Sequence, residues 1–289
     1  EAVTNIVKHA KRGTLLARPI ANKQSVGIEA LAIDAGPGME NFAASSLDGA
    51  STVGTPGTGL GAIARLADEL DVYTGSGRGT VLRMAMWDRD GERAPQEYEV
   101  GAVTVPKIGE TVNGDAWGME THAHGATFLV ADGLGHGPDA SRASSGAVDV
   151  LHRNPSESAL RLLDLAHAKL RSTRGAAVAV IRHNAVSGEI EFAVIGNIAA
   201  CVLHGESRRA MVSHNGILGH NVSRSQDFRY PWPPRSLLVA HSDGLQTQWN
   251  LAEYPGIVDC HASIIAALLF RDHSRHRDDV TVVVARSRR

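Results

Sequence analysis

Four short motifs put an aspartate beside a glycine or a second aspartate, a pattern typical of metal sites. They are NGD at 113–115, ADGLGHG at 131–137, SDGL at 242–245 and RDDVT at 277–281. The runs TFLVADG and LLVAHSDG each end a predicted strand on an aspartate, and DDVTVVVA begins one. The sheet holds such an aspartate in place, while the following glycine lets the backbone turn. A single Asp-Gly pair is more often a simple turn, but four at strand ends weaken that interpretation.

The carboxylates of these motifs would repel one another strongly unless cations neutralised them. Oxygen ligands of this kind suit hard divalent ions such as Mg²⁺ or Mn²⁺. Two such ions can hold a phosphoryl group for in-line attack. The four motifs together therefore predict a two-metal centre for phosphoryl chemistry.

A second set of polar and glycine-rich motifs lies in the first ninety residues. Glu1, Asn5 and His9 share one face of a predicted helix at i, i+4 and i+8. The motifs that follow it are D-x-G-x-G at 34–38, GTGLG at 57–61 and GRGT at 77–80. There is no Walker A sequence, which excludes a P-loop. No buried strand precedes GTGLG, which argues against a Rossmann site. Each motif alone is weak, but the ordered set predicts nucleotide binding.

The elements that must position these residues fall into two groups. In the first, helices at 1–13 and Leu60–Leu70 accompany strands at Ser25–Ile33, Val72–Tyr73 and Val81–Met86. The second group has helices at Pro138–His152, Ser156–Leu170 and Ile257–Phe270, and strands at Val100–Val105, Thr127–Ala131, Ala176–Ile181, Ile190–Ile195, Ala199–Leu203, Ser236–Ala240 and Val280–Ala285. Many strands with few, clustered helices predict an α+β fold. We expect domains at 1–87 and 99–289, joined by a charged linker at 88–98.

The composition is that of an ordinary globular protein. The chain has 289 residues, is 43% hydrophobic and carries a formal net charge of −2. No basic excess indicates nucleic-acid binding, and no apolar run approaches the length of a membrane span. The two distant cysteines, Cys201 and Cys260, do not form a disulfide framework, so a reducing cytoplasm is predicted. The sequence leaves the oligomeric state open.

From about Val100 to Ala285 the motif set resembles the SpoIIE-type PPM phosphatases, which are metal-dependent serine/threonine phosphatases. The resemblance implies a β-sandwich flanked by helices, with two Mn²⁺ or Mg²⁺ ions at one end. It also implies the roles of the acidic residues: Asp132 bridges both ions, the Gly133 carbonyl and Asp115 bind one of them, and Asp243 and Asp278 complete the other side. Asn113 departs from the family, which usually has glycine there.

Histidines near these motifs allow two interpretations. His136 follows the metal loop and could donate a proton to the leaving serine oxygen. A capping or hydrogen-bonding role for His136 is the favoured alternative. HAH at 122–124 and HSRH at 273–276 lack partners at zinc-ligand spacing, so they are expected to be surface or loop residues.

The N-terminal motif set resembles the GHKL class of ATP-binding domains. Within that class, DGAST at 48–52 and RLADEL at 65–70 resemble the RsbT-like serine kinases, which phosphorylate STAS-domain proteins. The resemblance implies an α/β sandwich binding ATP with Mg²⁺; because it also implies a strand and a helix before the first helix, we expect the start of this domain to be missing. The implied site residues are Glu1 as general base, Asn5 on Mg²⁺, Asp34, Gly36, Gly38 and Thr80 around the adenine, and Gly57, Gly59 and Gly61 on the phosphates.

Three hypotheses for function follow. The first is a switch enzyme whose C-terminal domain removes phosphate from a regulatory phosphoserine or phosphothreonine, with an N-terminal domain that phosphorylates the same STAS-domain target. In the second, the phosphatase is linked to an ATP domain that only senses nucleotide or docks a partner. The third is a non-catalytic signalling adaptor, which the intact set Asp115, Asp132, Asp243 and Asp278 argues against.

Overall fold

The computed structural model of this chain describes residues 1–22, 24–40, 42, 59–88, 96–220, 222 and 226–288. The chain divides into two units. The first unit contains Glu1–Glu97 and Leu251–Asp272, and the second contains Tyr98–Asn250 and His273–Arg289. None of the helices in these described ranges is long and apolar enough to cross a membrane.

The first unit is built on a four-stranded antiparallel sheet. Its strands are β1 (Gly13–Ala21), β2 (Val26–Asp34), β3 (Glu69–Thr74) and β4 (Thr80–Trp87), in the order β1-β2-β4-β3. Alternate residues of β2 and β4 point to opposite faces of this sheet, as the pleat requires.

One face of this sheet packs against the N-terminal helical segment and a second helix. The helical segment is α1 (Ala2–Asn5) continued by a π-helical turn at Ile6–Ala10, and the second helix is α2 (Gly59–Leu66). The buried residues between sheet and helices are Ile6, Ala32, Ile63, Leu82 and Met84. This apolar core fixes the helices that carry Glu1, Asn5 and Gly59.

The opposite face of the sheet carries buried charges among buried apolar residues such as Val81. Glu29 accepts 2.6 Å hydrogen bonds from Arg18 Nε and from Arg83 Nε, and a 2.8 Å bond from the Ser263 hydroxyl. Burial works to raise the pKa of Glu29, but the two guanidinium groups outweigh it and hold that pKa below its usual value. Glu29 is therefore a paired, charged centre of this face.

Ser263 belongs to a segment that the predicted boundaries assign to the second domain. Leu251–Asp272 includes short 3-10 turns at Leu251–Glu253 and Ile257–Asp259 and most of helix α5 (Ala262–His273), and it belongs to the first unit. Besides the Ser263 bond, the backbone N–H of His261 donates to Asp71 Oδ2 at 2.7 Å. This segment thus adds to the first unit from a distant part of the sequence.

The second unit is a sandwich of two five-stranded antiparallel sheets. The strands are β5 (Tyr98–Val105), β6 (Asp115–His122), β7 (Gly125–Gly133), β8 (Ala176–Asn184), β9 (Glu189–Ile195), β10 (Ala199–His204), β11 (Ser207–Ala210), β12 (Asp227–Pro231), β13 (Leu237–His241) and β14 (Val280–Ser287). One sheet has the order β11-β10-β13-β14-β5 and the other has the order β12-β9-β8-β7-β6. Residues from both sheets, such as Phe128, Phe192, Leu238 and Val283, share one buried core.

Two helices cover the outer face of the β6–β9 sheet. Helix α3 (Pro138–Arg153) and helix α4 (Ala159–Leu170) bury Ala143, Leu151 and Leu163 against this sheet. Helix α3 begins five residues after β7 ends, so the loop between them is short and fixed at both ends. The predicted α+β class, with an α/β unit followed by a helix-flanked β-sandwich, is confirmed.

Candidate functional site

Asp115 and Asp132 face each other on neighbouring strands at one end of the sandwich. Asp115 is the first residue of β6 and Asp132 lies one residue before the end of β7, and the two are register partners. Directly opposed residues on antiparallel strands have Cβ atoms about 4.5–5.5 Å apart. A buried and a half-buried carboxylate at that separation repel each other unless a cation or a proton lies between them.

The turn and the glycine beside these aspartates explain their fixed positions. The Asn113 side-chain oxygen accepts a 2.8 Å hydrogen bond from the N–H of Asp115, a local turn that a glycine at 113 could not make. Asn113, which departs from the family pattern, therefore helps to position Asp115. At Gly133, a Cβ atom would lie 2.0 Å from the carbonyl oxygen of Ala140, so only glycine lets β7 approach helix α3.

Asp243 and Asp278 join Asp132 around one cavity in the second unit. The cavity has a volume of about 310 Å³, and all three aspartates line it together with Asn197. The Asn197 side-chain N–H donates a 2.7 Å hydrogen bond to Asp243 Oδ2. Asp243 therefore reaches the cavity with one carboxylate oxygen already oriented.

Asp279 faces away from this cavity, towards the loop that carries Asp115. Its Oδ1 accepts from the N–H of Lys107 at 2.9 Å, and its Oδ2 is buried without a hydrogen-bond partner among the described residues. A Cβ atom on Gly114 would lie 2.5 Å from that Oδ2. In the RDDVT motif, then, Asp278 lines the cavity and Asp279 lies behind it.

The pKa values of these carboxyl groups reflect burial and mutual repulsion. Burial raises the pKa of Asp132 to about 8, and the charges of Asp115, Asp243, Asp278 and Asp279 act in the same direction. Burial also raises the pKa of Asp115 to about 7, against a lowering effect of the hydrogen bond from Ser242. The pKa values of Asp243 and Asp279 are raised, mainly by burial. A cluster of acids that resists ionisation is a marker of a functional site.

This donor set fits divalent cations. In the ranges that the structure describes, no three histidine, cysteine, aspartate or glutamate side chains are grouped closely enough to hold an ion as they stand. Carbonyl oxygens and water must therefore complete the coordination, which suits Mg²⁺ because it keeps several water ligands. The raised pKa values of Asp132 and Asp115 indicate negative charge that a cation would neutralise.

Two residues that support this site were not identified from the sequence. Ser242 donates a 2.6 Å hydrogen bond to Asp115, and Asn197 holds Asp243. Both lie beside quoted motifs, Ser242 within SDGL and Asn197 in the turn after β9. Their roles depend on contacts between residues 127 and 46 positions apart, which no local pattern reveals.

His136 makes a close contact with Glu110. Its Nδ1 lies 2.6 Å from Glu110 Oε1, and both side chains are partly exposed. The contact agrees with the favoured interpretation of His136 as a hydrogen-bonding residue.

In the first unit, the structure brings Glu1, Asn5 and Gly59 together. A Cβ atom on Gly59 would lie 2.8 Å from Glu1 Oε2 and 3.7 Å from Asn5 Oδ1. The two polar side chains therefore face the start of helix α2, as their i, i+4 spacing predicts. Gly61 is buried in the same helix, while Gly57 and the DGAST motif lie outside the described residues.

The predicted adenine-side residues gather at one end of the sheet. Asp34 ends β2 and pairs in register with Thr80, the first residue of β4. Asp34 Oδ1 accepts from the N–H of Gly36 at 2.8 Å. Gly38 has φ +67°, and a Cβ atom there would lie 2.0 Å from the carbonyl oxygen of Gly75. Glycine is thus required where this loop meets the GRGT turn.

Arg271 was not identified from the sequence as a residue of this region. It comes from helix α5, and its guanidinium donates a 2.9 Å hydrogen bond to the backbone carbonyl of Asp34. Nothing in the local sequence of α5 indicates this contact, because the two residues lie 237 positions apart.

Comparison with known proteins agrees with both halves of this description. Residues 122–288 match the family model described as Stage II sporulation protein E (SpoIIE), and residues 1–86 match that of the histidine kinase-like ATPase domain. The serine/threonine-protein kinase RsbT of Bacillus subtilis (strain 168) is 33% identical over 89 residues, which cover 31% of this chain and 67% of RsbT.

Similarity to phosphatases extends over the second unit. The phosphoserine phosphatase RsbX of Bacillus subtilis (strain 168) is 23% identical over 141 residues, covering 48% of this chain and 70% of RsbX. A crystal structure of RsbX in complex with magnesium has a TM-score of 0.58 at 19% identity, covering 68% of this chain and 98% of that one, which shows the shared fold.

A third relative combines sequence and structural similarity. A solved chain from work on the bacterial stressosome has a TM-score of 0.62 at 30% identity, covering 66% of this chain and all of the other. The family match covers more than half of the residues and includes the Asp132, Asp243 and Asp278 motifs. The chain belongs to the SpoIIE family of PPM-type serine/threonine phosphatases, and it carries a histidine kinase-like ATPase domain related to RsbT in front of the phosphatase domain.

Proposed function

We propose that this protein hydrolyses the phosphate ester of a phosphoserine or phosphothreonine on a regulatory protein, using two divalent ions held by Asp115, Asp132, the Gly133 carbonyl, Asp243 and Asp278. The observation that carries the proposal is the convergence of Asp132, Asp243 and Asp278 on one cavity, with Asp115 opposite Asp132. When bound, Mn²⁺ or Mg²⁺ would polarise the phosphoryl oxygens and increase the acidity of water.

The chain's own residues would supply a preorganised acidic cavity. Asp132, the register partner of Asp115, would hold the ions together with it. Ser242 and Asn197 would hold Asp115 and Asp243 in fixed orientations, which reduces rearrangement during the reaction. His136, held by Glu110, remains a candidate proton donor to the leaving oxygen.

We also propose that the first unit binds ATP with Mg²⁺ and transfers phosphate to the same regulatory protein. Asp34 and Thr80 would contact the adenine, Asn5 the Mg²⁺, and the glycines around α2 the phosphates. Glu1 would act as the general base from its position beside Gly59. The 33% identity to the kinase RsbT supports transfer rather than binding alone.

The target would be a STAS-domain protein carrying a regulatory phosphoserine. Support comes from the RLADEL resemblance and from similarity to both RsbT and RsbX, one named a kinase and the other a phosphoserine phosphatase. Opposing activities on one residue would let a single chain set the phosphorylated fraction of its partner.

One observation favours the alternative in which the ATP domain only senses nucleotide. Arg271 lies in a segment inserted between phosphatase motifs, yet it contacts the carbonyl of Asp34, the proposed adenine residue. Nucleotide at Asp34 would then affect the segment that leads to Asp278.

The experiment that tests these proposals follows both reactions on one STAS-domain protein. With γ-labelled ATP, the native chain should transfer label to the STAS protein, Glu1→Gln should bind ATP without transfer, and Asp34→Asn should not bind. With the phosphorylated STAS protein and Mn²⁺, the native chain should release phosphate faster than from an unrelated phosphoserine protein. ATP binding without transfer in the native chain would favour the sensor, and equal release from both substrates would refute STAS specificity.

A further inference from the structure

A groove in the described part of the second unit lies beside the acidic motifs and is lined by polar residues. It has a volume of about 540 Å³, and its lining residues are Gln246, Thr247, Gln248, Ser274, Arg275 and Arg277. It begins next to the proposed metal ligands, because Arg277 directly precedes Asp278 and Gln246 lies three residues after Asp243.

Backbone hydrogen bonds fix the two segments that form this groove. The N–H of Arg275 donates to the Gly244 carbonyl at 2.8 Å, and the N–H of Gln246 donates to the His273 carbonyl at 2.9 Å. Between them, Leu245 and Ser274 form an antiparallel bridge. The same ladder therefore holds the groove and the loops that carry Asp243 and Asp278.

The exposed Arg208 stabilises the segment that contributes Thr247 to the groove. The Arg208 guanidinium donates to the carbonyls of Thr247 and Trp249 at 3.1 and 2.8 Å, and it stacks 3.9 Å from the centre of the Trp249 ring. The groove thus exists before any ligand binds, which lowers the entropic cost of binding.

The groove offers two cations that no described carboxylate pairs with directly, although the charge of Arg275 acts to lower the pKa of nearby Asp243. Arg275 and Arg277 are exposed, and neither forms an ion pair within 4 Å with a carboxylate in the ranges the structure describes. Other arginines of the second unit have such partners, for example Arg174 with Asp139 and Arg286 with Glu99. His276, between the two arginines, has φ +54°, an unusual left-handed conformation that reverses the chain there.

We propose that this groove, the 275/277 groove, binds an acidic segment of the substrate polypeptide next to its phosphorylated residue. This binding rests on the proposed phosphatase function and would determine which phosphoproteins that site prefers. The phosphoester would enter the cavity of Asp132, Asp243 and Asp278, while flanking Asp or Glu residues bind Arg275 and Arg277. Gln246 and Gln248 offer amide donors and acceptors for the peptide backbone.

The chemistry of the groove favours an acidic peptide over other occupants. It presents no aromatic or aliphatic side chain, so it lacks the apolar anchors of a stable protein interface. Exposed charge pairs give weak, salt-sensitive attraction that increases encounter rates, which suits a substrate that must leave after the reaction. The arginines also offset the repulsion that the acidic cavity exerts on a negatively charged substrate.

The test compares two phosphoserine peptides that differ only in their flanks, one with Asp and Glu and the other with Asn and Gln. The double variant Arg275→Gln, Arg277→Gln is compared with the native chain and with Arg153→Gln. Arg153 is also exposed, and it ends helix α3, about 20 Å along the helix from the site. We expect native kcat/KM with Mn²⁺ to favour the acidic peptide about five- to tenfold at low salt, through its KM.

That preference should fall below twofold in the double variant and at 0.5 M salt, and should persist in Arg153→Gln. A preference that survives in the double variant, or that is missing from the native chain, would overturn the inference. Should neither peptide be hydrolysed, the phosphatase proposal fails, and the groove is judged separately by fluorescence anisotropy of the same labelled peptides. Stronger native binding of the acidic peptide, lost in the double variant, would support the groove, and equal binding would refute it.

Discussion

The hydroxyl of Ser242 donates a 2.6 Å hydrogen bond to Oδ2 of Asp115, joining two residues that lie 127 positions apart. The same hydroxyl oxygen accepts from the backbone N–H of Thr281 at 3.0 Å. Ser242 has no exposed surface, so water cannot replace either bond. One small side chain therefore connects the start of β6, the end of β13 and the start of β14.

We expect Ser242→Ala to weaken both metal binding and the fold. The change leaves the Asp115 carboxylate without this donor and the Thr281 N–H without its acceptor, which costs about 1–3 kcal/mol of unfolding free energy. Loss of a partner that orients a ligand typically lowers metal affinity about 10–100-fold. Titration with Mn²⁺ by calorimetry, and the urea midpoint of the metal-free protein, measure the two effects.

Ser144→Ala is the matched control for this substitution. Ser144 is equally buried, but its hydroxyl donates to the Ser141 carbonyl one turn earlier in helix α3. Loss of this hydroxyl should leave Mn²⁺ affinity within about twofold of the native value, because it leaves no carboxylate without a hydrogen-bond donor. Native Mn²⁺ affinity in Ser242→Ala would show that Asp115 does not depend on this bond.

The part of the site that local sequence could predict lies where buried strands end. β7 and β13 are continuous apolar runs that stop at Asp132 and just before Asp243, and β14 begins directly after the pair Asp278–Asp279. An apolar run of this kind predicts a buried strand, and an aspartate followed by glycine predicts where that strand ends. By contrast, β1 at Gly13–Ala21 was not predicted. Its residues alternate between exposed and half-buried positions, so it has no continuous apolar run, and it contains a proline.

What the sequence could not predict depends on contacts between distant residues. The periodicity of Ile257–Phe270 indicates a helix, and the helix forms at Ala262–His273. That pattern does not show which of the two units the helix belongs to. Ser263 on Glu29 and Arg271 on the Asp34 carbonyl span 234 and 237 positions. Similarly, Asp278 and Asp279 are identical in type, and the hydrogen bond from the Lys107 N–H to Asp279, far along the chain, shows that Asp279 faces away from the cavity.

In the absence of metal, Asp132→Asn should stabilise the protein at pH 8. The folded-state pKa of Asp132 is raised to about 8 from an ordinary 3.8, so the native state holds this proton more tightly than the unfolded state does. Stability from this group is therefore present at low pH and is lost as pH rises from about 4 to about 8. The neutral amide of asparagine cannot ionise, so it removes this loss of unfolding free energy, which is about 1–3 kcal/mol or several degrees in Tm.

The measurement is Tm in EDTA at pH 5 and pH 8, repeated with Mn²⁺. At pH 5 the native chain and Asp132→Asn should be similar, at pH 8 the variant should melt higher, and Mn²⁺ should raise only the native Tm. Asp139→Asn, which changes a half-exposed acid at the start of α3, should behave like the native chain. A variant less stable than the native chain in EDTA at pH 8 would contradict the repulsion inferred between Asp132 and its neighbours.

Acidification should destabilise the second unit through His183. This side chain is buried against Tyr98, whose hydroxyl lies 2.7 Å from Nδ1, and burial lowers the pKa of His183 to about 4. Because the unfolded-state pKa is about 6.5, the unfolded state binds the proton first. Stability is therefore complete above about pH 6.5 and falls, by at most about 3 kcal/mol, as pH falls towards 4.

Urea midpoints of the native chain and His183→Gln between pH 4.5 and 7.5 test this effect. Glutamine keeps an acceptor for Tyr98 but does not titrate, so its midpoint should fall less steeply on acidification. The exposed His124→Gln variant should follow the native curve. Parallel curves for the native chain and His183→Gln would mean that other groups cause the acid sensitivity.

The most direct test of the two-metal phosphatase site is phosphate release from a phosphoserine peptide with and without Mn²⁺, in the native chain, Asp132→Asn and Asp139→Asn. Asp132 is the residue opposite Asp115 that lines the cavity with Asp243 and Asp278, whereas Asp139 is paired on the surface with Arg142 and Arg174. We predict that release requires Mn²⁺, falls at least about 100-fold in Asp132→Asn and stays near the native rate in Asp139→Asn. Native-rate release by Asp132→Asn, or release by the native chain in EDTA, would contradict the assignment of this cavity as the catalytic metal site.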